Sequence, residues 1–232
     1  MSAGGSGFTE ASFTWFAGLE AHNDSAWFAE HRDAFTEHVE EPFADLLQAV
    51  SSKLATTEAA LVGGPATTFR INRDVRFSTD KSPYNTYRAG LLTPSGTKAE
   101  SAGLVYVRLD SAGGFLAGGL YKPSSSQLEP ARQAILDKPH RFANVVAELA
   151  DQGLELDRAE VVKTMPRGYA QHSGHPQAEF LRLKQYVVAL PLAKQVWLDD
   201  RVGEEITAFA VAIAPLLTWV TSALGSAGSS DR

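Results

Sequence analysis

The fold is decided by the stretch Leu104-Val-Tyr-Val-Arg-Leu-Asp-Ser-Ala-Gly-Gly-Phe-Leu-Ala-Gly-Gly-Leu-Tyr121. Its two halves, Leu104 to Leu109 and Phe115 to Tyr121, are rich in β-branched, aromatic and aliphatic residues, which is typical of strands. The connection from Asp110 to Gly114 ends in two glycines, and glycine adopts the backbone conformations that tight turns require. The stretch therefore predicts an antiparallel β-hairpin.

Three further stretches on either side of this hairpin have the composition of strands. They are Phe69 to Phe77, roughly Tyr87 to Leu92, and Tyr186 to Leu190. Together with the hairpin they predict a mostly antiparallel sheet of about five strands, packed by helices.

Helical periodicity covers most of the remaining chain. Segments of this kind contain Phe13, Trp27 and Phe43 before the sheet, and Leu128 and Phe142 after the hairpin. A long C-terminal helix is predicted to begin near Asp199. The chain is thus expected to form one α+β domain over residues 8–225, with flexible tails at 1–7 and 226–232.

One stretch of the predicted C-terminal helix is long enough to cross a bilayer. Residues 206–225 contain no charged side chain over twenty positions. The apolar residues fall at steps of three and four, however, and threonines interrupt them. No cluster of Lys or Arg flanks the stretch, although such clusters are typical beside membrane spans. The pattern favours a core helix of a soluble protein that does not bind a membrane.

Composition excludes several kinds of site. The 232 residues include no cysteine, so the chain has no thiol nucleophile, no cysteine-ligated zinc or iron–sulfur site and no disulfide bond. The six histidines form no recognised metal motif, and no nucleophile elbow is present. We therefore predict no metal and no cofactor. Residues 1–7 lack the features of a signal peptide, so a cytoplasmic location is expected.

Charge is distributed unevenly along the chain. The formal net charge is −6, yet the segment Phe69 to Arg88, here termed the basic segment, carries five basic and two acidic residues. The basic segment therefore has a local charge of +3, and the remainder of the chain has −9. Proteins that coat nucleic acid rely on extended positive charge, so the acidic remainder argues against a nucleic-acid partner.

Arg73 is anomalous within the basic segment. If Phe69 to Phe77 is a strand, its alternate residues, such as Ile71 and Val75, lie on one apolar face. Arg73 falls on that face, where an unpaired guanidinium is costly. It is therefore expected to have a carboxylate partner, a bound ligand or a position at a sheet edge. A bulge near Arg73 would reverse this parity.

The second half of the basic segment, Ser78 to Thr86, is rich in turn residues and contains a proline that fixes the approach of Tyr84. Arginine and lysine side chains in such a setting suit a phosphate or a carboxylate. The candidate ligand-binding residues of the segment are Arg70, Arg73, Asp74, Arg76, Asp80, Lys81 and Tyr84. The alternative is a structural network in which the arginines pair with Asp74, Asp80 and carboxylates of the N-terminal helices.

Further candidates lie beside turns later in the chain. Lys122 precedes a serine-rich stretch that leads into a helix, whose first amide groups could face an anion. An ordinary turn with a serine cap is the alternative. Arg182 and Lys184 share strand parity if their stretch extends the strand at Tyr186. The candidates from this part of the chain are Lys122, Arg167, Arg182 and Lys184.

One long motif carries a family resemblance, and it reads Phe69-Arg-Ile-Asn-Arg-Asp-Val-Arg-Phe-Ser-Thr-Asp-Lys-Ser-Pro-Tyr84. The other matching features are Trp27-Phe28, Gly118-Gly-Leu-Tyr-Lys-Pro123 with Leu128 and Arg132 after it, Pro166-Arg-Gly-Tyr169 and Leu181-Arg-Leu-Lys184. From about Phe13 to Leu217 the chain resembles the domain of unknown function 2461 family. The resemblance implies no activity. Lysine is common in that family where this chain has Thr79 and Asn85, which weakens the case for a polyphosphate clamp.

Two functions are compatible with these residues. The first is a binding protein or an enzyme for a small phosphate- or carboxylate-bearing ligand. Arg73, Arg76 and Lys81 would hold the anion, and Asp74 or Asp80 would orient them or carry a proton. The second is a non-catalytic protein-interaction module in which the basic segment is a structural ion-pair network. Both stay open at this point, as does the question of whether the protein is an enzyme.

Overall fold

The predicted hairpin forms the middle of the sheet. The structure, a computed structural model, describes residues 7–100 and 102–227, the side chains of 226 and 227 excepted. The strands are β1 (Tyr87–Leu92), β2 (Ala102–Asp110), β3 (Gly113–Leu120) and β4 (Tyr186–Pro191). They follow one another in the order β1-β2-β3-β4 and form an antiparallel sheet. The hairpin prediction is thus confirmed.

A two-residue turn joins β2 to β3. The carboxylate of Asp110 accepts a hydrogen bond from the backbone N–H of Ala112 at 3.0 Å. Gly113 and Gly114 follow with φ angles of 123° and 117°, which glycine adopts readily because it has no Cβ. A Cβ on Gly114 would lie 2.0 Å from the carbonyl oxygen of Arg108. The two glycines therefore allow the tight reversal that their position in the sequence predicts.

Helices precede the sheet, as expected. Their bounds are α1 (Glu10–Ala21), α2 (Ser25–Glu30), α3 (Arg32–Phe35), a π-helix (Thr36–Glu40) and α4 (Glu41–Leu54), followed by a 3₁₀ turn (Pro65–Thr67). The hydroxyl of Thr9 caps α1 by accepting a hydrogen bond from the N–H of Ala11 at 3.3 Å. The carboxylate of Asp24 caps α2 in the same way.

More helices follow the hairpin. Their bounds are α5 (Ser125–Asp137), α6 (Pro139–Asp151), a 3₁₀ turn (Ala170–His172), α7 (Ala178–Leu181), α8 (Lys194–Leu198), α9 (Val202–Ala212) and α10 (Ala214–Ala227). The α+β class predicted from the sequence is confirmed, since the described chain combines these helices with one antiparallel sheet.

The predicted long C-terminal helix is instead the pair α9 and α10, separated at Ile213. Pro215 explains the break, because proline has no backbone N–H and its ring clashes with the carbonyl four residues earlier. Within the described residues no single helix is both long and apolar enough to span a membrane. Only α9 and α10 taken together across this break reach that length and apolarity.

The predicted fifth strand, Phe69 to Phe77, is not a strand, so the described sheet has four. Only isolated bridges occur here, which pair Thr68 with Gly90 and Asn72 with Tyr84. The stretch pairs with residues that follow it closely in the chain, and Pro83 lacks the N–H that a regular ladder needs. The alternation of apolar and polar residues was therefore a misleading signal at this place.

Contacts between residues divide the chain into two compact units. Within the described residues, unit 1 contains 7–99, 105–116 and 190–211, and unit 2 contains 100, 102–104, 117–189 and 212–227. Each unit is assembled from separate stretches of chain. The single domain over 8–225 stays a prediction. The tails predicted at 1–7 and 226–232 lie outside the described residues, except for residues 7, 226 and 227.

The core of unit 1 forms where α4 packs on β1. Phe43 and Leu47 of α4 are 0% exposed. A Cβ on Gly90 of β1 would lie 2.6 Å from Leu47 and 3.1 Å from Phe43. The missing side chain at Gly90 therefore allows the helix to approach the strand closely.

The core of unit 2 contains a cluster of three rings. Phe142 of α6 lies 4.8 Å from Trp219 of α10 and 6.1 Å from Tyr186 of β4, measured between ring centroids. All three side chains are almost fully buried. In unit 2, α10 is therefore a core helix, as its apolar periodicity predicts.

Candidate functional site

Two backbone hydrogen bonds close a loop within the basic segment. The N–H of Arg73 donates to the carbonyl of Pro83, and the N–H of Asn85 donates to the carbonyl of Ile71, both at 2.8 Å. Residues 73–82 lie between these bonds. We term them the braced loop, because their own side chains cross it.

Two side chains brace the loop. The guanidinium of Arg73 pairs with the carboxylate of Asp80 at 2.5 Å and donates to the carbonyl of Ser82 at 3.1 Å. The ammonium of Lys81 donates to the carbonyl of Val75 at 3.0 Å. Arg73 therefore has a carboxylate partner, which is one of the three situations expected for it from the sequence.

Both carboxylates of the braced loop are stabilised in their ionised form. Asp74 accepts two hydrogen bonds from the guanidinium of Arg76, at 2.6 and 2.9 Å, which lowers the pKa of Asp74 and raises that of Arg76. Hydrogen bonds from Ser82 and Arg73 hold the pKa of Asp80 well below its usual range. The paired charges thus form a local network within the loop.

Phe77 lies in the middle of the braced loop, and its side chain is 96% exposed. The guanidinium carbon of Arg76 lies 5.9 Å from the centre of the phenylalanine ring. Arg70, Arg76 and Lys81 are exposed as well. The loop therefore presents one bare aromatic ring together with cationic side chains.

Tyr84 is placed differently from the other candidates of the basic segment. It is 8% exposed, and its ring stacks on Phe28 with centroids 4.1 Å apart. The side chain of Asn23 accepts a hydrogen bond from the N–H of Tyr84 at 3.1 Å and donates to its carbonyl at 3.0 Å. Tyr84 therefore fixes the end of the loop against the N-terminal helices of unit 1.

The deeply buried arginine of the basic segment is Arg88, on β1, whose side chain is 5% exposed. It donates to the carbonyl of Phe69 at 2.5 Å, to the hydroxyl of Thr68 at 3.1 Å and to the carboxylate of Glu40 at 3.2 Å. Its Nε is buried without a hydrogen-bond partner among the described residues. Burial lowers the pKa of Arg88, and Glu40 partly offsets this effect.

Arg88 was not among the candidates predicted from the sequence, because the buried position was assigned to Arg73. The signal was present in β1, however. Arg88 alternates with Ala89 and precedes Gly90 by two residues, which places it on the strand face that packs on α4. Strand parity thus identifies Arg88 once the bounds of β1 are known.

The remaining four candidates lie in unit 2. Lys184 pairs with Glu160 at 3.7 Å. The hydroxyl of Tyr121 raises the pKa of Lys122, and Glu160 adds to this effect, so both lysines lie near one carboxylate. Arg182 donates to the carbonyl of Val162 at 2.9 Å. Arg167 is exposed and makes no side-chain hydrogen bond with a described residue.

A polar cluster that the sequence analysis did not predict lies in unit 2 around Arg132. Arg132 is 9% exposed and donates to the carbonyls of Leu181 at 2.9 Å and Leu183 at 3.1 Å. Its guanidinium carbon lies 5.8 Å from the ring centre of Tyr169, whose hydroxyl donates to the carboxylate of Glu129 at 2.8 Å. Burial and Glu129 raise the pKa of Tyr169 to about 12.

This cluster borders a groove of about 610 Å³ that also lies within unit 2. The groove is lined by Glu129, Pro130 and Ala134 of α5 and by Trp219 of α10, among others. A second cavity of about 140 Å³ lies beside Phe180. Neither of these two cavities is lined by a residue of the basic segment.

The residues of the cluster come from three separate stretches that carried the family resemblance, around Arg132, Tyr169 and Leu181. A comparison with protein families agrees with this resemblance: conserved hypothetical proteins of the domain of unknown function 2461 family match residues 11–219. The chain belongs to this family. The predicted resemblance is therefore confirmed over most of the chain. No curated protein and no solved structure matches the chain.

In this member of the domain of unknown function 2461 family, which has no cysteine, a metal ion would need histidine or carboxylate ligands. Among residues 7–100 and 102–227, no group of three or more His, Asp or Glu side chains could hold a metal ion. The absence of a metal and of a cofactor stays a prediction.

Proposed function

We propose that the protein is a non-catalytic interaction module that binds an acidic protein partner through the braced loop. The observation that carries this proposal is Phe77, which is 96% exposed in a loop that two backbone hydrogen bonds close. Burying such a side chain contributes about 2 kcal/mol. No described part of the chain buries the ring of Phe77, so this contribution would be gained on binding a partner that covers it.

Three properties of the loop suit recognition of a protein. Aromatic and arginine side chains are enriched among the residues that dominate interface energies, and Phe77 lies beside Arg76. A loop that is already ordered loses less conformational entropy on binding. Lys81 in the loop and Arg70 just before it are exposed cations without an ion pair to a described residue, and they favour a partner with acidic side chains, because complementary charge guides association.

A small anionic ligand is the second candidate, and the exposed cations favour it. Lys81 donates to a backbone carbonyl, and Arg70 makes no side-chain hydrogen bond within the described chain. Small-molecule sites are usually concave, however. The two cavities of about 610 and 140 Å³ are lined by other residues. A small anion would also leave the ring of Phe77 exposed, so we rank the protein partner first.

A library of displayed random peptides provides a defined probe for the first proposal. Selection against the intact chain is expected to enrich peptides that combine Asp or Glu with an apolar residue. For a synthetic copy of a selected peptide, Phe77→Ala is expected to raise the Kd at least about tenfold. Val211→Ala is the matched control, because Val211 is another exposed apolar residue of unit 1, and it should leave the Kd unchanged.

Two results would count against this proposal. Selected peptides that bind wild type and Phe77→Ala equally well would show that the braced loop is not the docking surface. A rise in Tm with phosphate, citrate or ATP that disappears in Arg70→Ala would favour the small anionic ligand instead, since a ligand that binds only the native state stabilises it.

A further inference from the structure

A group of aromatic rings around one arginine lies on the sheet in unit 1. We term Phe69, Tyr87, Tyr106, Arg108 and Phe115 the aromatic face. The ring centroid of Tyr106 lies 6.4 Å from that of Phe69 and 5.6 Å from that of Phe115. The guanidinium carbon of Arg108 lies 4.1 Å from the ring centre of Tyr87 and 5.5 Å from that of Phe115. The five side chains therefore form one continuous surface.

Strand geometry explains why these residues share a face. Side chains alternate along β2, so Tyr106 and Arg108 point away from Val105, Val107 and Leu109, which are 0% exposed. Tyr87 belongs to the same side, because it lies opposite Asp110 in the register of β1 and β2. Phe69 joins the edge of this surface through its N–H, which donates to the carbonyl of Ala89 at 2.9 Å.

The aromatic face is open to solvent and close to neutral in charge. Phe69 is 39% exposed, and the side chain of Arg108 is 29% exposed. Tyr87, Tyr106 and Phe115 are partly exposed. Arg108 pairs with Asp110 at 3.0 Å, which compensates its charge. A nucleic-acid strand would need uncompensated cations along its phosphates. The face therefore suits an uncharged occupant.

The hydrogen bonds that remain available narrow the choice of occupant. One oxygen of Asp110 accepts from Arg108, and the other accepts from the N–H of Ala112. Arg108 donates to Asp110 through Nε, so its two terminal NH₂ groups are left to donate. The hydroxyl of Tyr87 has no hydrogen bond with a described residue. The face thus offers the two NH₂ groups of Arg108 and the hydroxyl of Tyr87 as donors beside its aromatic rings.

We propose that the aromatic face binds a proline-rich peptide segment in the polyproline II conformation. Such a segment presents flat pyrrolidine rings, which pack against aromatic side chains. Its proline residues have backbone carbonyls but no N–H groups, so it needs donors and supplies acceptors. Those requirements match the rings of Tyr106 and Phe115 and the free donors of Arg108 and Tyr87. This surface is distinct from Phe77 and does not depend on the function proposed for the braced loop.

A proline oligomer tests the proposal, with an alternating Gly-Ser peptide of equal length as the control probe. Amide chemical shifts of the ¹⁵N-labelled chain are expected to move at β2 and β3 with the proline oligomer only. Tyr87→Phe keeps the ring and removes one donor, so it is expected to weaken binding about fivefold. Phe115→Ala removes a ring and should weaken binding more. Val211→Ala, at an exposed apolar residue of unit 1 outside the aromatic face, is the control variant and should bind the proline oligomer like wild type.

Several outcomes would overturn the proposal. These are the absence of shifts with the proline oligomer, equal shifts with the Gly-Ser peptide, or unchanged affinity in both Tyr87→Phe and Phe115→Ala. Shifts of the same amides with oligothymidylate or a cello-oligosaccharide, but not with the proline oligomer, would assign the face to another class of ligand. Tyr87→Phe keeps the result interpretable if Phe115→Ala does not fold.

Discussion

Arg88 and Arg73 belong to the same basic segment but lie in different surroundings. The side chain of Arg88 is 5% exposed, whereas that of Arg73 is 26% exposed and its partner Asp80 is 59% exposed. Removing a buried guanidinium leaves its acceptors unpaired in the interior. Water replaces the partner of a solvated ion pair at little cost. The two arginines should therefore differ in what they contribute to stability.

We expect Arg88→Ala to lower the free energy of unfolding by about 3 kcal/mol, because it removes the buried donor of the carbonyl of Phe69 and the bonds to Thr68 and Glu40. Arg73→Ala should cause only a small fraction of that loss. Urea unfolding followed by tryptophan fluorescence measures both values. A larger loss for Arg73→Ala than for Arg88→Ala would contradict this assignment of the buried and the solvated arginine.

At the scale of elements, the success of sequence-based prediction depended on how local the determining contacts are. The β2–β3 hairpin was predicted correctly, because its strands and its glycine turn lie in one short stretch. The stretch Phe69 to Phe77 alternates like a strand, yet its backbone bonds go to Ala89 at one end and to Pro83 and Asn85, which close a loop. The alternation alone carries no information about that pairing.

The cluster around Arg132, by contrast, depends on contacts between residues far apart in the chain. Its hydrogen bonds join residues 40 to 51 positions apart, so no local pattern reveals them. The family resemblance singled out the stretches that contain Arg132, Tyr169 and Leu181 but not their contact. The break at Ile213 has a local cause in Pro215, but the apolar periodicity continues across it and by itself predicts one helix.

The pKa of Tyr169 predicts how the stability of the folded protein changes at alkaline pH. Its pKa is raised to about 12 in the folded protein, first by burial and then by Glu129, against an ordinary value of 10. A raised pKa means that the neutral phenol stabilises the fold. This contribution is complete below about pH 10 and is lost as the pH rises towards 12. The hydrogen bond to Glu129 adds about 1 kcal/mol at neutral pH.

Unfolding in urea measures this contribution when wild type is compared with Tyr169→Phe at several pH values. The stability difference between the two proteins is expected to be constant up to about pH 10 and to shrink above it. Other alkaline titrations affect both proteins and cancel in the difference. A difference that stays constant up to pH 12 would show that Tyr169 ionises as easily in the folded as in the unfolded state.

At the scale of the whole molecule, the basic residues and the exposed ring of Phe77 lie in the same segment of an acidic chain. The chain has a net charge of −6, while the residues from Arg70 to Lys81 include four basic and two acidic side chains. An acidic partner is repelled by the remainder and attracted at the braced loop, so the field of the protein itself would orient the encounter. Added salt screens this attraction, so it should lower the association rate of an acidic peptide. It should change the dissociation rate, which depends on contacts such as those of Phe77, much less.

The discontinuous construction of unit 1 leads to a prediction about fragments. Residues 1–99 include α1 to α4 and β1 but lack Val105, Val107 and Leu109, which are 0% exposed and lie opposite β1. Without β2, the edge of β1 has no hydrogen-bond partner, and the apolar face of α4 loses part of its cover. The fragment 1–99 is therefore expected to show no cooperative thermal transition by far-ultraviolet circular dichroism, whereas the full chain shows one. A sharp transition in the fragment would mean that its helices and β1 form a core without β2, contrary to the packing described for unit 1.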